Sequence, residues 1–143
     1  MTKLDNFTNS LRVLHGADRD LAHRDEIYRM GVIGQFNLTF ELAWKALKAV
    51  LLLYGVDAAK TGSPREVLKE GYAAGFLTDH DTWLDMMIRR NKSVHIYDVD
   101  LAIELTDLIF SSYLPAFDRL RDTLTVKRAA VESPQPLPTN FTG

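Results

Sequence analysis

Apolar residues recur at steps of three and four along almost the whole chain, and strand-like alternation never extends beyond a few residues. The pattern predicts helices throughout. Leu4, Phe7, Leu11 and Leu14 mark a first helix running to about Leu21. The second is much longer. Met30, Ile33, Asn37, Phe40, Trp44, Leu47, Leu51 and Tyr54 keep a three-four alternation from about Asp25 to Tyr54, and Gly55 offers a C-terminal cap. At 1.5 Å per residue this helix would be roughly 45 Å long. Val32, Phe36, Ala43 and Val50 form a second apolar face, so it should have neighbours on more than one side. Gly31 and Gly34 lower helix propensity and suggest close approach of another helix. Asn37, polar on an apolar seam, reads as a register or oligomer-state determinant. Trp44 and Trp83 read as core, and Glu41 with Lys45 as an ordinary pair one turn apart that could also line a cleft.

Ser63, Pro64 and Glu66 form a capping-box signature for a third, short helix that ends near Gly75. A fourth begins between Thr78 and Asp81, carries Trp83, Leu84, Met87 and Ile88, and ends near Asn91. A fifth is capped by Asp98 or Asp100 and runs to about Arg128. Leu101, Leu105, Leu108, Tyr113, Leu120 and Leu124 line one of its faces; Ile103, Phe110, Leu114 and Phe117 line another. Pro115 should kink it. Residues 131–143, with three prolines in the last eleven and no periodicity, read as an extended or disordered tail. The expected fold is all-α: an up-and-down bundle of about five helices over residues 1–130. The two apolar faces of the fifth helix suggest either a homodimer packed through long helices or a thicker single-chain core.

Composition narrows the setting. The chain has 143 residues and no cysteine, which excludes disulfides and thiolate metal sites. The N-terminal twenty residues lack a signal peptide's basic start and apolar core. The longest apolar run, Ala49 to Tyr54, is too short to span a bilayer. A cytoplasmic location without membrane contact is expected. Seventeen basic and nineteen acidic residues give a net charge of −2, so any contact with RNA must be a local patch.

One polar stretch interrupts the helical pattern: Arg89-Arg90-Asn91-Lys92-Ser93-Val94-His95-Ile96-Tyr97-Asp98. Histidine exchanges protons near neutrality, and arginine presents a permanently charged fork that fits a phosphate. A base that deprotonates a 2′-hydroxyl and a cation that stabilises charge on phosphorus are enough for metal-free RNA cleavage. The four histidines, His15, His23, His80 and His95, show no metal-ligand spacing, and neither metal nor cofactor is expected. The leaving oxygen needs an acid as well, so a dimer that joins two such stretches would supply a second histidine. On spacing alone, the alternative is that Arg90 caps a helix C-terminus and His95 donates to a turn carbonyl. His15, His23 and His80 read as surface residues.

Arg90 to Tyr97 fits the R-x4-H-x-Y motif, and the chain resembles HEPN-domain proteins there. Phe36 to Lys45 looks like the long-helix signature of the HepT-like branch, also labelled nucleotidyltransferase substrate-binding proteins. Ser63 to Leu68, Gly75-Phe76-Leu77 and Trp83-Leu84 resemble the following segment in the same order. The resemblance covers roughly residues 5–125. It implies an all-helical, usually dimeric bundle with the motif in a cleft at the dimer interface. It implies a metal-independent ribonuclease, the toxin of a toxin–antitoxin pair whose partner is a minimal nucleotidyltransferase. By position, Arg90 and His95 would be catalytic, Asn91 would orient the site, and Tyr97 would be the tyrosine that receives AMP. Lys92 would either help to hold RNA or be a solvated charge. The same resemblance also carries the reading of a non-catalytic subunit that binds substrate for its partner transferase. A helical dimerisation module without a site is the third reading.

Overall fold

The fold, a computed structural model, describes residues 1–93 and 98–132. It is an up-and-down helical bundle. Helix α1 (Lys3–His15) starts at a capping box in which Thr2 and Asp5 exchange side-chain-to-backbone hydrogen bonds. It buries Leu4, Phe7, Leu11 and Leu14. The first helix does not continue to Leu21. It ends at Gly16, and Asp18 caps a separate α2 (Arg19–Arg24) by accepting from the Leu21 N–H. Asp25 closes α2 and opens α3 (Glu26–Leu53), its carboxylate accepting from the Tyr28 N–H at 2.8 Å. Buried Arg29 donates to the Ala22 and His23 carbonyls and so satisfies the end of α2.

Helix α3 spans 28 residues and stops at Tyr54, with Gly55 at φ 76°, close to the expected bounds. It packs against α1, α2, α4, α5, α6 and α7, the last four being the helices introduced next. A 3-10 turn (Asp57–Ala59) leads to α4 (Pro64–Ala73), where Ser63 Oγ accepts from the Glu66 N–H. Helix α5 (His80–Ser93) follows, then α6 (Val99–Leu108). A π-helical turn (Ile109–Tyr113) joins α6 to α7 (Leu114–Glu132). This widened turn takes up the irregularity that Pro115 imposes, because the proline ring would crowd the carbonyl of Ser111 four residues earlier. Helix α7 runs to Glu132 rather than to about Arg128 and takes in the first two residues of the expected 131–143 tail; the expectation for the rest of that tail, like those for His95 and Tyr97, lies outside the described residues.

The core is aromatic at its centre. Phe36 of α3 stacks on Tyr113 at 5.4 Å, and Trp83 of α5 meets Phe117 edge-on at 5.5 Å. Leu114, Phe117, Leu120 and Leu124 are all buried within one chain. Most of the two-sided apolar character of the last helices is therefore used up by α1, α3 and α5; Leu101 remains exposed at the start of α6. Among the described residues, no helix is long and apolar enough to cross a membrane.

The close helix approach expected at Gly31 and Gly34 occurs elsewhere. A Cβ on either would find nothing within 4 Å among the described residues, whereas a Cβ on Gly71 of α4 would lie 2.8 Å from Leu47 Cδ2 of α3. Gly71→Ala should therefore destabilise the chain by about 1–3 kcal/mol through overpacking against a fully buried leucine. Gly34→Ala should stabilise the single chain by about 0.5–1 kcal/mol, because alanine restricts the unfolded chain and costs nothing here. Urea titration of the two variants, at a protein concentration where size-exclusion chromatography shows a single chain, checks the opposite signs.

Candidate functional site

The site forms where the C-terminal turn of α5 meets the middle of α3. On α3, Asn37, Glu41 and Lys45 follow one another at four-residue steps, and Trp44 lies one turn from Glu41, so all four share one side of the helix. On α5, Arg90, Asn91, Lys92 and Ser93 lie in the last turn, two residues beyond the end expected from the pattern. Two contacts lock these elements together. Asn37 Nδ2 donates to Ser93 Oγ at 2.8 Å, and Ser93 Oγ donates to the Arg90 carbonyl at 2.8 Å. Arg90 Nη2 donates to Glu41 Oε2 at 2.9 Å.

That second contact draws the Arg90 guanidinium away from its own helix terminus and onto α3. The side chain that bonds the Arg90 carbonyl at the helix terminus is Ser93, and the guanidinium is committed to a carboxylate on another helix. Arg90 Nη1 also donates to Asn91 Oδ1 at 3.3 Å, which ties Asn91 to the arginine. Glu41 is shared further: Trp44 Nε1 donates to Oε2 at 3.1 Å, and Lys45 Nζ lies 3.2 Å from Oε1. Burial opposes the charge of Glu41, but the bonds from Trp44 and Lys45 and the charges of Arg90 and Lys45 outweigh it. Its carboxyl is held below its ordinary value of 4.5. Two cations and one anion leave a local excess of positive charge at the junction.

A neighbouring face of α5 is anchored to α6 and the turn that follows it. Arg89 Nη2 donates to Glu104 Oε1 at 3.1 Å. Tyr113 donates its phenol proton to Asp85, and burial followed by that bond pushes the phenol above its ordinary 10.0. Asp98 caps α6 by accepting from the Asp100 N–H at 2.8 Å. The chain thus leaves α5 and re-enters α6 at two fixed points, Ser93 and Asp98.

Of the sequence-predicted site residues, Arg90 and Asn91 come together beside Glu41, and Lys92 is exposed on the same turn. His95 and Tyr97 lie outside the described residues, so their placement relative to Arg90 is not part of this geometry. Asn37, Glu41 and Ser93 are the contributors that local patterns did not assign to Arg90. The signal was present as two polar residues four apart on one long helix, Asn37 and Glu41. Trp44 is only half-buried, its indole N–H taken by Glu41, where a core position was expected. His15 and His23 are exposed as expected, each on an aspartate, Asp118 and Asp107. His80 is partly buried and stacks on Tyr72 at 5.0 Å, a correction to its surface assignment. Among the described residues, no three metal-ligating side chains cluster.

The depressed carboxyl of Glu41 has a signed consequence. Its contacts contribute fully above the ordinary carboxylate pKa of 4.5, and that contribution is lost as pH falls through the lower folded-state value. Glu41→Gln should lower stability at pH 7 by up to about 1 kcal/mol, the upper end for a half-exposed pair. The gap from wild type should narrow on acidification, read from circular-dichroism melts between pH 7 and pH 3.

Residues 2–126 match a family model described as nucleotidyltransferase substrate binding protein like. No curated protein matches the chain significantly. The match begins at the cap of α1, ends within α7 and takes in both helices that build the site. The chain belongs to the nucleotidyltransferase substrate binding protein like family.

Proposed function

We propose that the chain is a metal-independent endoribonuclease, the toxin of a toxin–antitoxin pair, acting as a homodimer and silenced by a minimal nucleotidyltransferase partner. The observation that carries the reading is Arg90: a guanidinium fixed by a neighbouring helix at the first position of R-x4-H-x-Y. In the reaction, His95 takes the proton of a 2′-hydroxyl as its oxygen bonds to the adjacent phosphorus. Arg90 stabilises the extra charge on the phosphoryl oxygens. The P–O5′ bond breaks, a 2′,3′-cyclic phosphate forms, and the 5′-oxygen takes a proton from the second copy's histidine. Asn91, bonded to Arg90, keeps the guanidinium turned toward the phosphate.

The requirement for a second histidine is what calls for a dimer, and α3 carries a surface suited to one. Ile27, Gly31, Gly34 and Leu38 fall on one stripe at steps of four, three and four, and the stripe continues into Glu41 and Lys45. Ile27 is 86% exposed and Leu38 49%. An exposed apolar stripe leading to the site supports association beside it. Transfer of AMP from ATP to the Tyr97 phenol oxygen, with release of pyrophosphate, would add bulk and negative charge two residues from His95 and exclude RNA.

The family description favours a second reading with equal force: a non-catalytic subunit that binds substrate for the partner transferase. One assay separates them. Purified protein, verified by mass as unmodified at Tyr97, is incubated with total RNA and EDTA alongside Arg90→Ala and His95→Ala. The nuclease reading expects chelator-resistant cleavage that falls by at least about 10²-fold in each variant. Equal inactivity of all three overturns the nuclease reading and favours the binding subunit that the family description names.

A further inference from the structure

Glu41 does more than an exposed helix pair requires. One carboxylate receives three donors from two helices: Arg90 and Trp44 on Oε2, Lys45 on Oε1. Such an arrangement orients cations more than it neutralises them, because one negative charge sits between two positive ones. Both cations keep contact with solvent, with side-chain exposures of 36% for Arg90 and 41% for Lys45. Arg90 also keeps donors that no described residue takes. Among the described residues, Glu41 and Asn91 each engage one of its terminal nitrogens, and a guanidinium carries five N–H groups. The half-buried Trp44 donates its indole N–H to the same carboxylate, and Lys45 Nζ lies 5.9 Å from the centre of its ring.

We propose that Glu41 is a positioning residue that aims Arg90 and Lys45 at one RNA strand, with Arg90 on the scissile phosphate and Lys45 on a neighbouring one. The proposal rests on the nuclease reading for the identity of the scissile phosphate, and on the geometry of the α3–α5 junction for everything else. It makes Lys45 a phosphate-binding residue and separates two roles that charge alone would merge. Removing Lys45 removes a phosphate contact. Removing Glu41 removes a repulsive charge near the phosphates while releasing the guanidinium from its orientation.

The two roles predict opposite effects on binding and turnover, which loss of folding would not produce. The binding probe is a fluorescein-labelled single-stranded oligonucleotide with 2′-O-methyl riboses, which has no nucleophile and cannot be cleaved. Lys45→Ala should weaken its binding and reduce the slope of log affinity against log salt by about 0.7, the value for one phosphate contact on a single strand. Glu41→Ala should bind the probe as tightly as wild type or more tightly, yet lower kcat on cleavable RNA by roughly 10²-fold, the scale of a misaimed catalytic group. Glu41→Ala combined with Arg90→Ala should be no slower than Arg90→Ala alone, because the carboxylate acts through the arginine.

If wild type cleaves and Glu41→Ala turns over within twofold of it, the positioning role is overturned and the nuclease reading stands. If wild type does not cleave, the nuclease reading falls, and binding alone decides about Glu41. Tighter binding by Glu41→Ala with weaker binding by both Lys45→Ala and Arg90→Ala then upholds a shared phosphate grip. No binding by wild type, or indifference to all three changes, overturns it.

Discussion

The apolar face of α3 is the surface on which the rest of the chain is placed. Phe36, Phe40, Leu47 and Leu51 are buried along it, and every other α-helix contacts it. Phe40 lies against Trp83 at 6.1 Å, and Trp83 in turn meets Phe117, so α3, α5 and α7 converge on one indole. Burying side chains of this size contributes on the order of 2–3 kcal/mol each, far more than any polar contact on the molecule. The core therefore decides where α5 runs, and the terminal turn of α5 reaches α3 beside Asn37 and Glu41 as a consequence.

The polar contacts at that meeting point have a different purpose. A half-exposed ion pair such as Arg90–Glu41 contributes about 1 kcal/mol or less, and apolar residues of similar volume could fill the same place without loss of stability. Their effect is direction. The Asn37–Ser93 bond sets the distance between the helices, and the Glu41 carboxylate selects one orientation among the many that a four-bond arginine side chain can adopt. Arg89–Glu104 and Tyr113–Asp85 then hold the same helix from the α6 side. A helix end fastened on two sides by polar contacts fits a site better than a joint in the scaffold, because its geometry survives while its energy is modest.

What could be read from the sequence was what is local in it. Asp25, Gly55 and Ser63 mark helix ends by chemistry that operates over three or four residues, and those ends lie where expected. The break at Gly16 was missed because Leu21 continues the apolar spacing of α1, and an aspartate at position 18 is equally compatible with a helix surface. The π turn before Pro115 was foreseen only as a disturbance, since a proline dictates a defect without dictating its form. The site divides in the same way. Arg90 and Asn91 were legible as a motif; their link to Glu41 crosses 49 positions and depends on how two helices cross, which no local pattern encodes. The match over residues 2–126 supports the family and leaves the chemistry to the residues.

The stripe on α3 connects these observations. Helical glycines are costly unless something occupies the space they leave, and Gly71 shows the usual solution, with Leu47 filling the place of a Cβ. Among the described residues, Gly31 and Gly34 have no such occupant, and they share their stripe with exposed Ile27 and Leu38. Toward its C-terminal end the same stripe becomes Glu41 and Lys45, so the unfilled apolar surface and the cationic cluster are successive stretches of one helix face. On the nuclease reading the chemistry needs two imidazoles, and the motif provides one per chain. On that reading, a second copy seated on the unfilled stripe would lie along the helix face that carries Glu41 and Lys45, next to Arg90.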